Sequence, residues 1–341
     1  MLEPLLLKNP DGKHANLCFV NAVIQILRHN LKFQQHVYFK RSASDIFKEL
    51  FDILRYEGTN YQTSCQSLRR NIGIKLGIQE MYSGAQQDAI EFMGFLFDYF
   101  DEDAKNMFCF YTRITTDFFH GQTFPCQHCG NRPRPTSEVH KFLRISFPEG
   151  TPDKGFYDLG ILIQRHFDVQ YSDEKDGLRC NTCCKHGDSL NHQNDIRCRL
   201  KPYQRKAEII QFSPCLLVQL VRFKNDGNKI NSVVKSTERL CIQNTEYRLT
   251  GILNHDGTLK QGHYNALLKK DQFWYECDDT NLPRRIEAGR IFSRKNYMFM
   301  FEKVEGDIFH DPQISISSEE SVGDIGQSLP SCPPFSDPRV K

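Results

Sequence analysis

Two CxxC pairs constrain this fold most: Cys126 and Cys129 in PCQHCG, and Cys180 and Cys183 in RCNTCCK. Four thiolates suit a closed tetrahedral zinc site with zinc–sulfur bonds of about 2.3 Å, a structural site rather than a catalytic one with an open position. The two segments must therefore meet, although 51 positions separate Cys129 from Cys180. That distance exceeds what a compact zinc ribbon needs and implies a strand pair between the knuckles. His128, Cys184 and His186 are alternative ligands.

The knuckles sit in a chain of 341 residues, 39% hydrophobic and 25% charged, enough for one elaborate domain or two smaller ones. The formal charge is +2, and the acids Glu138, Glu149, Asp153, Asp173, Glu174, Asp176 and Asp188 break up any basic stripe near the knuckles. No nucleic-acid partner is indicated. No apolar run approaches the roughly 18 residues of a bilayer span, and the opening MLEPLLL is too short and acidic for a secretory signal. The expectation is an intracellular protein, cytoplasmic or nuclear, with no membrane partner. Its 13 cysteines are then thiols by default, because disulfides are rare in those compartments.

The first hundred residues read as helical. In HANLCFVNAVIQILRHN, the apolar positions Phe19, Ala22, Val23, Ile26 and Leu27 repeat at three and four, placing Cys18 at a helix N-terminus. A second helix is expected over 45–56, capped by Ser42 or Ser44, and a third over about 86–100. After about Arg113, runs such as EVHKFLRISFP, PCLLVQLVRF, GHYNALLKK, FWYECDD and NYMFMFEKV read as strands. Residues 150–187 read as a polar appended subdomain. Residues 305–341, rich in Ser, Pro and acid, read as a disordered tail.

Cys18 is a candidate nucleophile, because the free N–H groups at a helix N-terminus favour thiolate. Burial as a small hydrophobe is the alternative. A base is available in GHYNALLKKDQFWYECDD. If Lys270 and Asp271 centre a tight turn, His263 stands opposite Asp278, close enough for the carboxylate to orient the imidazole, while Asp279 points to the other face unless a bulge or an odd loop exchanges the two. In SGAQQDAIEF, Asp88 and Glu91 share one helix face and suit a cationic partner, ideally an arginine.

With these elements in this order, the sequence resembles the ubiquitin-specific protease family of deubiquitinating enzymes over roughly residues 7–304. The motifs NLCFVNAVIQ, QQDAIEF, both knuckles, PCLLVQLVRF, YRLTGILNHDG, GHYNALL, WYECDD and NYMFMFEK carry the likeness. The resemblance implies an α+β, papain-like cysteine protease with a helical thumb (about 7–112), zinc-bearing β-fingers (about 113–210) and a β-sheet palm (about 211–304). It implies Cys18 as nucleophile, His263 as general base and acid, Asp278 orienting the imidazole with Asp279 assisting, and Asp88 and Glu91 engaging arginines of the ubiquitin tail. Structural zinc, ubiquitin or polyubiquitin and ubiquitinated proteins as partners, and a monomeric catalytic domain complete the expectation. One position departs. The family has an oxyanion-binding Asn five residues before the nucleophile, where this chain has Lys13. Asn16 or a looped-in Asn9 could supply the donor; without one, the chain would be a weak enzyme or a ubiquitin-binding scaffold.

Overall fold

The computed structural model describes residues 7, 9, 16–54, 62–82, 84–119, 123–126, 128–152, 154–173, 175–180, 182 and 200–304. Lys13, Cys183, Cys184, His186 and the expected tail lie outside the described residues.

The helical lobe comprises α1 (Cys18–His29), α2 (Leu31–Lys40), α3 (Asp45–Leu54), α4 (Gln62–Leu76), α5 (Gln79–Tyr82), α6 (Ala89–Asp98) and α7 (Glu102–Phe108). Short polar side chains start several of them by accepting orphan backbone N–H groups. Asn30 accepts from Phe33, Ser44 from Phe47, Asp88 from Ile90 and Glu91, and Asp101 from Ala104. The expected apolar stripe of α1 understates its burial, since every residue from Cys18 to Arg28 is buried. The helix packs between α6 and the strands behind it, with Phe19 edge-on to Phe92 at 5.5 Å between ring centres.

The strands follow as β1 (Phe110–Phe119), β2 (Thr123–Phe124), β3 (Thr136–His140), β4 (Leu143–Ser146) and β5 (Phe156–Asp158). Next come α8 (Leu159–Phe167), β6 (Gln170–Ser172), β7 (Tyr203–Gln211), β8 (Cys215–Val221), β9 (Val233–Lys235) and β10 (Arg239–Ile242). The last are β11 (Thr245–Gly257), β12 (Gly262–Lys270), β13 (Phe273–Cys277), β14 (Arg284–Ile286) and β15 (Asn296–Lys303). Among the described residues the larger sheet runs β14-β13-β12-β11-β15-β8-β4, with β10 on β11. The smaller runs β2-β1-β7-β6, with β3 on β1, and β5 pairs with β9.

Both faces of the larger sheet are buried, which explains its near-continuous apolar strands. Leu217, Leu253, Tyr264, Ala266, Met298 and Met300 face the helical lobe. Their strand neighbours Leu216, Val218, Ile252, Leu267, Phe299 and Phe301 face a second core closed by Leu159, Leu162 and Ile163 of α8. Gly251 allows α1 to lie against β11, because a Cβ there would sit 3.0 Å from Ile26 Cδ1. The span expected to form the fingers is interrupted: β4 pairs with β8, and α8 caps the second core of the larger sheet. The polar residues flanking α8 concealed it, although LGILIQRHF itself carries an apolar stripe. Cys241 departs from the expectation of thiols and is disulfide-bonded.

Candidate active site

Cys18 is the first residue of α1 and is 4% exposed. Residue Leu17, before it, makes no side-chain cap, so the first-turn N–H groups of α1 remain oriented toward the thiol's end of the helix. His263 is the second residue of β12, its side chain 45% accessible. Its Nε2 lies 2.6 Å from Asp278 Oδ1. Nδ1 is then the nitrogen left for Cys18. Hydrogen bonding to Cys18 is the largest cause of the shift that lifts the imidazole to about 9, with Asp278 adding to it against burial. Asp278 is oriented in turn by Asn281, whose backbone N–H donates to its carbonyl at 2.9 Å and whose amide donates to Oδ2 at 3.4 Å.

The turn of the hairpin that joins this pair sits one residue later than expected. Lys270 pairs with Phe273 and Ala266 with Cys277, so Asp271 and Gln272, not Lys270 and Asp271, occupy the turn; Asp271 has a positive φ of 55°. His263 and Asp278 are therefore diagonal rather than opposed. Because the offset is even, they keep the same face. Asp279 does not point away as expected. Beyond Cys277 the chain has left the ladder, and at Asp279 it turns through a φ of 45°. The carboxylate ends up in one cluster with His263 and Asp278, all three offering ligand atoms within 4.8 Å of one another.

Asp279 is anchored rather than free. Its Oδ1 accepts from Asn21 Nδ2 at 2.8 Å, its Oδ2 from Asn9 Nδ2 at 2.9 Å, and its carbonyl from the Leu7 N–H at 3.1 Å. Burial raises its pKa, against the two amides that lower it. Asn9 is held at both ends of its amide, since its Oδ1 also accepts from the Leu17 N–H at 2.8 Å. Asn16 is exposed, adopts a φ of 32°, and donates from Nδ2 to the Gly84 carbonyl at 3.0 Å.

Asp88 and Glu91 lie at the start of α6, as the spacing implied. Asp88 is already engaged: Oδ1 caps the helix, and Oδ2 accepts from Tyr297 OH at 2.7 Å and Tyr264 OH at 3.2 Å. Glu91 is exposed, its pKa raised by partial burial and then by Asp88 and Glu80. Two further residues escaped the sequence reading. Gln86 bonds both backbone groups of Gly262, accepting from its N–H at 3.2 Å and donating to its carbonyl, which ties the helical lobe to the residue before His263. Asn21, three residues after Cys18, is a buried amide on an apolar helix, and that mismatch was its only signal.

Away from this site, the Cys126, Cys129 and Cys180 sulfurs lie within 4.8 Å of one another, Cys129 and Cys180 at 3.6 Å, and none of the three is in a disulfide. The Cys126 carbonyl accepts from the Cys129 and Gly130 N–H groups at 3.3 and 2.7 Å, and Gly130 adopts a φ of 69°. This tight turn aims both sulfurs of the first knuckle to one side. The donor set suits a soft divalent metal.

A family model described as ubiquitin carboxyl-terminal hydrolase matches residues 13–301. The ubiquitin carboxyl-terminal hydrolase Usp2 of Drosophila melanogaster is 24% identical over 84% of this chain and 34% of its own length. Ubiquitin carboxyl-terminal hydrolase 21 of Homo sapiens is 26% identical over 55% of this chain and 33% of its own. The chain thus spans about a third of the length of these relatives. The structure of the SAGA Ubp8/Sgf11/Sus1/Sgf73 DUB module bound to ubiquitin aldehyde superimposes with a TM-score of 0.65 at 17% identity, covering 89% of this chain and 70% of that one. That likeness is one of fold: α+β and papain-like, with the helical lobe as thumb, the larger sheet as palm and the smaller as fingers. Since the family model takes in the cysteine, QQDAIEF and histidine motifs in one continuous match, the chain belongs to the ubiquitin carboxyl-terminal hydrolase family.

Proposed function

We propose that the chain is a thiol-dependent deubiquitinase that cleaves the isopeptide or peptide bond after the C-terminal glycine of ubiquitin. The observation that carries this reading is the alignment of Cys18, His263 and Asp278, with the imidazole lifted to about 9 by the thiol and the carboxylate. That pairing supports a thiolate–imidazolium couple. The Cys18 thiolate attacks the glycine carbonyl, His263 gives its proton to the departing lysine amine, and water activated by the neutral imidazole then hydrolyses the thioester. Asp278 stabilises the cation and fixes the ring orientation.

For the oxyanion we propose the Cys18 backbone N–H and the second Nδ2–H of Asn9, in place of Asn16. Asn9 is preorganised by fixed partners on both sides of its amide, whereas Asn16 serves to pin the thumb loop at Gly84. Asp279 then assists by positioning Asn9. Glu91 is the freer carboxylate for an arginine of the substrate tail, with Asp88 holding the start of α6. Zinc, when bound, would be held by Cys126, Cys129 and Cys180, with Cys183 as the expected fourth ligand, and would supply a structural cross-link.

Purified protein should form a covalent adduct with ubiquitin bearing a C-terminal electrophile, and Cys18→Ala should abolish it. A wild-type protein that binds free ubiquitin by calorimetry yet never labels would favour the scaffold reading instead.

A further inference from the structure

His255, in β11, is 3% exposed and one strand away from the catalytic histidine: Asp256 pairs with His263, and His255 pairs with Tyr264. Its ring lies tilted against Tyr264 with centres 4.6 Å apart and contacts Tyr297 and Phe223. It also presses on the backbone of Gly262, where a Cβ would lie 2.1 Å from His255 Nε2. Nothing in the reaction above uses this buried imidazole.

The group that meets it comes from the loop after β8. Lys229 Nζ donates to the His255 carbonyl at 2.6 Å and lies 3.3 Å from Nδ1. This lysine is delivered by a braced loop. Phe223 and Lys229 form an antiparallel bridge, and the Lys224 N–H donates to the Asn228 carbonyl at 3.0 Å. Fully buried Arg222 donates to the carbonyls of Ile230, Ser232 and Asn296 at 2.8, 2.8 and 2.6 Å. The thumb holds the same hairpin from the other side, through Gln86 on Gly262 and Asp88 on Tyr264.

We propose that Lys229 and His255 are positioning residues for the reaction, a latch that fixes the end of β11 and, through the β11–β12 pairing and Gly262, the placement of His263. This rests on the thiol-protease reading above. An ammonium only donates, so Nδ1 of His255 must accept and Nε2 must carry the ring proton. The electrostatics agree. Burial, then Lys229, hold His255 down to about 4, against the pull of Asp88 and Asp256 and with His263 opposing a second cation. Lys229 is lowered to about 8 by burial and by Arg222, Lys295 and Arg294, against Asp256, and so is still charged at neutral pH. Asp256 is itself paired with Lys295 at 2.7 Å.

The test uses the full chain. Ring 15N spectra of wild type should show His255 as the neutral Nε2–H tautomer from pH 5 to 8, and Lys229→Met should convert it to a mixed, titrating imidazole. Lys229→Met should also lower kcat for a fluorogenic ubiquitin substrate about tenfold with KM within twofold, and slow alkylation of Cys18 by iodoacetamide at pH 6.5 several-fold. Lys229→Arg should restore kcat to within threefold of wild type. A wild-type His255 that titrates near 6.5, or a Lys229→Met protein with unchanged alkylation and kcat, would overturn the latch. If wild type cleaves no ubiquitin, the enzyme reading fails, while the 15N and alkylation measurements still decide the latch.

Discussion

Asp88 offers the sharpest test of how this site is held together. Removing its side chain in Asp88→Ala deletes the cap of α6, worth about 1 kcal/mol. It also strips the acceptor from the hydroxyls of Tyr264 and Tyr297, which are 4% and 5% exposed. Each buried donor left unsatisfied costs about 1–3 kcal/mol. With shared relaxation, the total is about 3–5 kcal/mol, which lowers Tm by roughly 6–20 °C at about 2–4 °C per kcal/mol for a domain of this size. Thermal denaturation followed by circular dichroism measures it. In a Tyr264→Phe/Tyr297→Phe background the same substitution should cost only the cap, about 1 kcal/mol. The competing view is that Asp88 acts only on the substrate. It requires Asp88→Ala to raise KM while melting within about 2 °C of wild type, a shift under 1 kcal/mol, and that result would exclude a structural role for Asp88.

Three further outcomes follow from the site. Asp278→Asn should lower the His263 pKa from about 9 toward its ordinary 6.5, moving the alkaline fall of kcat to lower pH, as an NMR titration of the ring and a rate profile would show. Near neutral pH the loss should be roughly tenfold, the low end for hydrogen bonds to charged groups because this one is partly solvated. The sign for stability is the same: the raised imidazole contributes fully below about 6.5, and the contribution disappears as pH rises through about 9. Asn9→Ala should cost about 10² in kcat, as removal of an oxyanion donor does, whereas Asn16→Ala should cost less than about tenfold; the reverse order in steady-state assays would return the oxyanion role to Asn16. Elemental analysis should find one zinc per chain, and chelation or Cys180→Ser should lower the melting temperature by several degrees, since metal binding is folding free energy. Full stability without metal would remove zinc from the structure.

How far the sequence reached can be judged from His263 and its neighbours. The alternation in GHYNALLKK marked a strand, and parity alone put His263 and Asp278 on one face even though the turn was misplaced by one residue. Asp279 was misjudged because the chain, already past the last ladder pair at Cys277, turns there through a positive φ of 45° that alternation does not anticipate. Asn21, and the contact of Asn9 with Asp279, were beyond pattern reading for another reason. Their partner is some 260 positions away, and no local periodicity reports a contact of that range. The helical lobe was legible in α1, α3 and α6, whose apolar positions recur on one face. Polar α4 and α2 gave little such signal, and α8 was hidden inside a stretch that composition made look like an appendage.

The long reach of the Asp279 contacts has a consequence for how such a protein is made. Cys18 and His263 are 245 residues apart, so at about 5–20 residues per second the thiol is synthesised roughly 12–50 s before the imidazole that meets it. During that interval α1, buried on all sides in the finished fold, lacks β11 and β12, the strands that cover it. The thiol is therefore without its proton partner until the palm closes, and Asn9, Asn21 and Leu7 are fastened only when Asp279 arrives. On the proposed reading, hydrolytic competence is thus one of the last properties the nascent chain acquires. Until then α1 exposes apolar surface of the kind that makes incomplete chains prone to aggregate.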